Sequence, residues 1–145
     1  MPKMIFVNLP VADVAKSAAF YEAIGCIHDT SFCKGPEAAM LVWSDTIIFM
    51  LLDKARYADF TSKQIADAHT SSEALFALSF DTRAEVDDIT EKAIAAGGRE
   101  GHPPEDLGFM YSRAFEDPDG HGFGPLWMDV KAAMATMNQP AEAAA

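Results

Sequence analysis

Hydrophobic and polar positions along the chain follow one plan twice, about seventy residues apart. Residues 3 to 11 alternate with a period of two, placing Ile5, Val7, Leu9 and Val11 on one face and Phe6 and Asn8 on the other, as in a strand with one side against a helix. From Asp13, a candidate N-cap, the period changes to that of a helix over 13 to 24. It carries Val14, Ala18, Tyr21 and Ile24 on one face and stops at Gly25. Three strand-like runs follow, at 26 to 33, 39 to 44 and 46 to 53. The last is almost wholly apolar from Thr46 to Leu52, which predicts a strand covered on both faces.

The second copy begins near Glu73. Leu75, Ala77 and Ser79 alternate with Phe76, Leu78 and Phe80, and Asp81 leads into a helix over about 83 to 96. This helix turns Val86, Ile89, Ala93 and Ile94 toward a sheet and ends at Gly97-Gly98. Strand-like runs near 99 to 103, 109 to 116 and 121 to 128 complete it, the last two separated by the turn signal Asp117-Pro118-Asp119-Gly120. Gly122, Gly124 and Pro125 predict a distorted last strand. A duplicated unit of this length implies two supersecondary modules packed together. Module one covers 3–53 and module two 73–129. Residues 54–72 are an inserted connection in which Asp59 and Thr61 could cap a short helix through Ala68. A C-terminal helix and tail occupy 130–145, with the helix running to about Met137 before Asn138-Gln139-Pro140 and an Ala-rich end.

Composition narrows the function. At 145 residues one domain is the default, and the two modules must share its core. No run reaches the ~20 apolar residues of a membrane span, and the N-terminus enters a strand without a secretory signal pattern, so a cytoplasmic protein without membrane partners is expected. The formal charge of −11 repels phosphate backbones, which argues against nucleic acid and favours neutral or cationic ligands. Cys26 and Cys33 form no CxxC pair and read as free thiols. His28, His69, His102 and His121 show no metal-binding spacing. Dinucleotide, P-loop, nucleophile-elbow and HExxH motifs are all missing from the sequence.

The paired βαβββ order, Val11-Ala12-Asp13 at the helix entry, Phe20-Tyr21 and Gly25 at its end, and Asp117-Pro118-Asp119-Gly120-His121 before the last strand resemble the vicinal oxygen chelate superfamily. That group comprises glyoxalase, bleomycin-resistance and dioxygenase proteins, and the resemblance covers about residues 3 to 129. It implies an α+β fold, two βαβββ modules whose strands form curved mixed sheets around a cavity, often in a homodimer. Metal-dependent members hold four ligands on the concave face. By register these positions are Phe6, Met50, Leu75 and Gly124, none of which offers the imidazole, carboxylate or thiolate a divalent cation needs.

The expectation is therefore a small organic ligand bound without metal. Phe6, Met50, Leu75, Gly124, Tyr111 and Trp127 would line the cavity, joined by Trp43, Phe109 and Met110, while Asn8, Glu73 and Tyr111 hydrogen-bond the ligand. Ordinary core packing is the alternative for the aromatic set. If chemistry occurs, Glu73 could act as a general base with a pKa raised by burial, and His121 as a proton donor or acceptor. A strand-end carboxylate and a turn histidine are the plain alternatives. The competing functional reading is a lyase or dioxygenase of glyoxalase type that holds a divalent metal through Glu73 and His121 and acts on vicinal oxygens.

Overall fold

The computed structural model describes residues 2–33 and 35–137. Module one is β1 (Ile5–Val11), α1 (Val14–Ala23), β2 (Ile27–Asp29), β3 (Ala38–Val42) and β4 (Ile47–Asp53). Its sheet has the order β1-β4-β3-β2, with β1 parallel to β4 and the other pairs antiparallel. Asp13 caps α1 by accepting the Lys16 amide at 3.1 Å, and Gly25 ends the segment at φ +118°. The predicted face of the helix is the buried one: Ala18, Tyr21 and Ile24 are in the core. β4 is covered on both faces, through Phe49 and Leu51 on one and Ile48 and Leu52 on the other.

A short helix α2 (Lys54–Ala58) follows β4 directly. This corrects the expected helix over 59–68. Asp53, not Asp59 or Thr61, is the N-cap, accepting the Arg56 amide at 2.7 Å, and Asp59 closes the helix at its other end. The carboxylate of the last strand residue captures a free amide of the first turn before any later cap can act.

Module two comprises β5 (Leu75–Phe80), α3 (Arg83–Ala95), β6 (Arg99–Glu100), β7 (Glu105–Asp106), β8 (Met110–Ser112), β9 (Phe115–Glu116) and β10 (Gly122–Met128). Its strands run β6-β9-β10-β8-β7, with β5 parallel to β10, and both sheets are curled. Thr82 caps α3 by accepting the Glu85 amide, and its hydroxyl donates to the Glu85 carboxylate at 3.0 Å. Val86, Ile89, Thr90 and Ala93 are buried, but Ile94 lies off this stripe and is 37% exposed, contrary to expectation.

The distortion expected in the last strand falls instead in its neighbour. β10 is continuous, whereas the 109–116 run breaks at Arg113-Ala114 into β8 and β9. The Pro125 carbonyl accepts the Arg113 amide at 3.0 Å, so the N–H that proline lacks would point to the same side, where the ladder is interrupted. A helix α4 (Val130–Met137) ends the described chain, started by Asp129, which accepts the Ala132 amide at 3.1 Å. The expected tail from Asn138 lies outside the described residues.

One core serves both modules. Tyr21 from α1 lies 5.5 Å from Phe49 and 5.9 Å from Phe123, and Phe49 meets Phe76 and Phe123 at 6.2 and 5.6 Å. Each such aromatic pair adds about 0.5–1.5 kcal/mol beyond its burial. Trp43 stands edge-on to Phe80 at 5.9 Å, which places it in this packing and not in a ligand cavity.

Candidate functional site

A cavity of about 460 Å³ opens beside the free edge of β1. The inserted connection and the starts of β5 and β10 complete its walls. It is roofed by chain that breaks the repeat: Tyr57, Thr61, Lys63, Gln64 and Ile65 face it, with Ala66 and Ala68 beyond. A recess of about 240 Å³ adjoins it, sharing Asn8, Tyr57 and Thr61.

Four residues singled out from the sequence meet here: Asn8, Glu73, Leu75 and His121. Register puts Phe6 and Met50 on the Asn8 side of their sheet and Gly124 on the Leu75 side of its own, but these three lie outside the cavity lining. Tyr111 and Trp127 are a correction. They are paired across β8 and β10 and face α3, where the Arg83 guanidinium sits 5.3 Å from the Tyr111 ring and 4.9 Å from Trp127. The Tyr111 hydroxyl donates to Asp87 at 2.6 Å. With the 109–116 run broken in two, its parity cannot be carried across residues 113–114, and the aromatic pair falls on the helix side.

Glu73 is exposed, so the burial that would suit it to general-base work is not present. His121 is half-buried, and its Nε2 lies 2.8 Å from the Pro10 carbonyl. A carbonyl only accepts, so Nε2 carries the proton in this bond. The rest of the Asp117–His121 turn grips module one as well. Tyr21 donates its hydroxyl to Asp117 Oδ2 at 2.8 Å, and Asp119 Oδ1 accepts the Ala12 amide at 2.8 Å. Asp117 Oδ1 receives the amides of Asp119 and His121 at 2.9 and 2.8 Å. Burial pushes the Asp117 carboxyl above the usual carboxylate range, although His121 and the hydrogen bonds favour its charged form. Burial and the adjacent carboxylate likewise push the Tyr21 phenol well up.

The donor set does not fit the family's metal. Phe6, Met50, Leu75 and Gly124 present carbon, a thioether or no side chain, and among the described residues no three His, Cys, Asp or Glu side chains converge as a metal-binding group. Of the two nearby donors, His121 has Nε2 engaged with Pro10.

The insertion residues at the cavity were missed by sequence reasoning, which placed the cavity within the repeats. Their sequence signal was the break in the repeat itself, the stretch 54–72 between the two modules.

A family model described as Glyoxalase/Bleomycin resistance protein/Dioxygenase superfamily matches residues 3–124. Comparison with curated proteins yields no match. Among solved structures, a hypothetical protein from S. aureus superposes with a TM-score of 0.74 at 25% identity, over 88% of this chain and 95% of that one. A glyoxalase/bleomycin resistance protein/dioxygenase family enzyme from Burkholderia phytofirmans PsJN gives 0.71 at 21% identity, over 88% and 99%. A genomically encoded fosfomycin resistance protein from Listeria monocytogenes gives 0.63 at 19% identity, over 90% and 97%. Among the described residues, no helix is long and apolar enough to cross a membrane.

Proposed function

Because this chain belongs to the glyoxalase/bleomycin resistance protein/dioxygenase superfamily, we propose that it binds a small organic molecule in the cavity beside β1, without the divalent metal of its metal-dependent relatives. The observation that carries this reading is the pairing of a cavity of about 460 Å³ with metal positions whose side chains are not donors. That volume lies in the range of small-ligand sites, roughly 300–1,000 Å³. Val7, Leu9, Ile65 and Phe76 supply apolar wall, while Asn8, Thr61, Gln64 and Glu73 place polar groups around it. The name of the Listeria relative, a fosfomycin resistance protein, lends support to a small molecule as ligand.

Homodimerisation belongs to the same proposal, supported by Ile5, Phe6 and Leu75, which are 55%, 47% and 78% exposed at the starts of β1 and β5. The proposed compartment is the cytoplasm, supported by two cysteines that remain thiols.

The test combines metal analysis of protein purified without chelators with a thermal-shift screen of small molecules. A ligand of the folded state stabilises it by about 2.7 kcal/mol at a hundredfold excess over Kd. Substoichiometric metal together with a saturable shift supports the proposal. Near-stoichiometric Ni, Zn, Mn or Fe would favour the metal-dependent lyase or dioxygenase, and a screen without any shift would overturn binding.

A further inference from the structure

β1 is the end strand of its sheet, and the Ile5 amide donates to Thr46 across the β4 side at 2.8 Å. In an extended strand the N–H and C=O of one residue point the same way and alternate along the chain. Ile5, Val7, Leu9 and Val11 therefore pair with β4, and Phe6, Asn8, Pro10 and Ala12 turn their groups to the free edge.

Most of that edge is already engaged. The Phe6 carbonyl accepts the Asn8 side-chain amide at 3.2 Å, the Pro10 carbonyl accepts His121 Nε2 at 2.8 Å, and the Ala12 amide donates to Asp119 at 2.8 Å. Pro10 has no N–H to offer. β1 pairs with no strand on that side, no other hydrogen bond among the described residues takes the backbone N–H or C=O of Asn8, and Asn8 lines the cavity. The Phe6 N–H lies on the same edge but outside the cavity lining.

Resting on the small-molecule reading, we propose that the cavity selects a ligand built around one extended α-amino acid unit with neutral amides: an N-acylated amino acid amide or a very short peptide. Its N–H donates to the Asn8 carbonyl and its C=O accepts the Asn8 N–H, as two strand residues exchange a hydrogen-bonded pair. The engaged groups at Phe6 and Pro10 limit the match to one residue, so a long strand gains nothing. Neutral amides suit walls that include Leu9, Ile65 and Phe76, since burying an ammonium or carboxylate costs far more than burying an amide.

The probes are N-acetyl-leucine methylamide, its analogue methylated on the leucine nitrogen, and free leucine, followed by thermal shift and by the amide resonance of Asn8. The capped amino acid is expected to bind and to shift the Asn8 amide, and the methylated analogue to fail. Asn8→Pro deletes the free N–H while leaving the β4 ladder intact, because an edge strand tolerates proline where its N–H faces outward, and Pro10 already does so. Asn8→Pro should bind at least about tenfold more weakly than Asn8→Ala, which keeps the backbone pair. Equal binding of the methylated analogue, equal affinity of the two variants, stronger binding of free leucine, or no Asn8 shift at millimolar probe would each overturn the proposal. If other small molecules occupy the cavity while capped amino acids do not, this inference fails and the small-molecule reading stands. If nothing binds there, both fail.

Discussion

The Tyr21 hydroxyl and Asp117 Oδ2, 96 positions apart in the chain, are 2.8 Å apart in a buried contact that joins α1 of one module to the turn before β10 of the other. Tyr21 is fully buried and Asp117 is 3% exposed. With Asp119 on Ala12 and His121 on Pro10, this bond makes the turn a clasp between the modules, and the clasp also sets one wall of the cavity.

Tyr21→Phe keeps the aromatic packing and removes one donor from a buried carboxylate. The unfolding free energy should fall by about 1–3 kcal/mol, the cost of leaving a buried polar atom unsatisfied. Urea denaturation checks this through a lower midpoint at unchanged slope. A midpoint equal to that of the parent would mean that the bond contributes nothing.

Burial raises the folded-state pKa of Asp117 above its unfolded value, so the native state holds this proton more tightly. The sign follows directly: the contribution is fully present below the unfolded pKa and is lost as pH rises through the raised folded value. Asp117→Asn lacks this titration. The stability of the parent minus that of Asp117→Asn should therefore decline as pH rises from about 3 toward 7. A constant or rising difference contradicts the assignment.

Gly120 adopts φ +93°, and a Cβ there would approach the His69 nitrogen to 2.7 Å and the Ala68 carbonyl atoms to 2.8 Å. Gly120→Ala should cost at least about 2 kcal/mol, the sum of left-handed backbone strain and displacement of the insertion. Because the obstructing atoms are backbone, the 59–74 segment must move. Limited proteolysis should cut it faster in the variant than in the parent.

Arg113, with a side chain 10% exposed, holds Asp87, Glu91 and Glu100 together at 3.2, 2.8 and 2.9 Å. Burial opposes its charge, but the three carboxylates outweigh that and push its pKa up. Arg113→Met leaves three like charges facing one another. The expected loss is about 1–3 kcal/mol, below that of a fully buried pair because the carboxylates are partly solvated. Added salt should recover part of it by screening.

Burial pushes the Cys26 thiol up to about 12, while Cys33 is only half-buried. A thiol reagent at neutral pH should label Cys33 first and reach Cys26 only after unfolding. Equal rates in the native protein would contradict the buried placement of Cys26.

Legibility in the sequence tracked the range of the interactions involved. Asp13, Thr46 to Leu52 and Asp117 to Gly120 could be read because strand parity, capping and turn chemistry act over a few residues. The helix expected after Asp59 began instead at Asp53, where two local caps competed. Tyr111 was not placed by parity because its run is interrupted at Arg113-Ala114, and Trp127, opposite in parity to Gly124 on β10, pairs with it on the helix side. Of the residues that line the cavity, Asn8, Glu73, Leu75 and His121 had been singled out from strand parity and turn position, whereas Tyr57, Thr61 and Lys63 carried no local signal.

The sequence by itself determined the duplicated modules, the strand and helix order, and the non-donor character of Phe6, Met50, Leu75 and Gly124, because each depends on residue type at short spacing. Tertiary structure alone decided that the insertion roofs the cavity, that His121 is tied to Pro10, and that one backbone pair at Asn8 is left open. Each of these arises where chain segments distant in sequence meet, and no local periodicity encodes which of them come within hydrogen-bond reach.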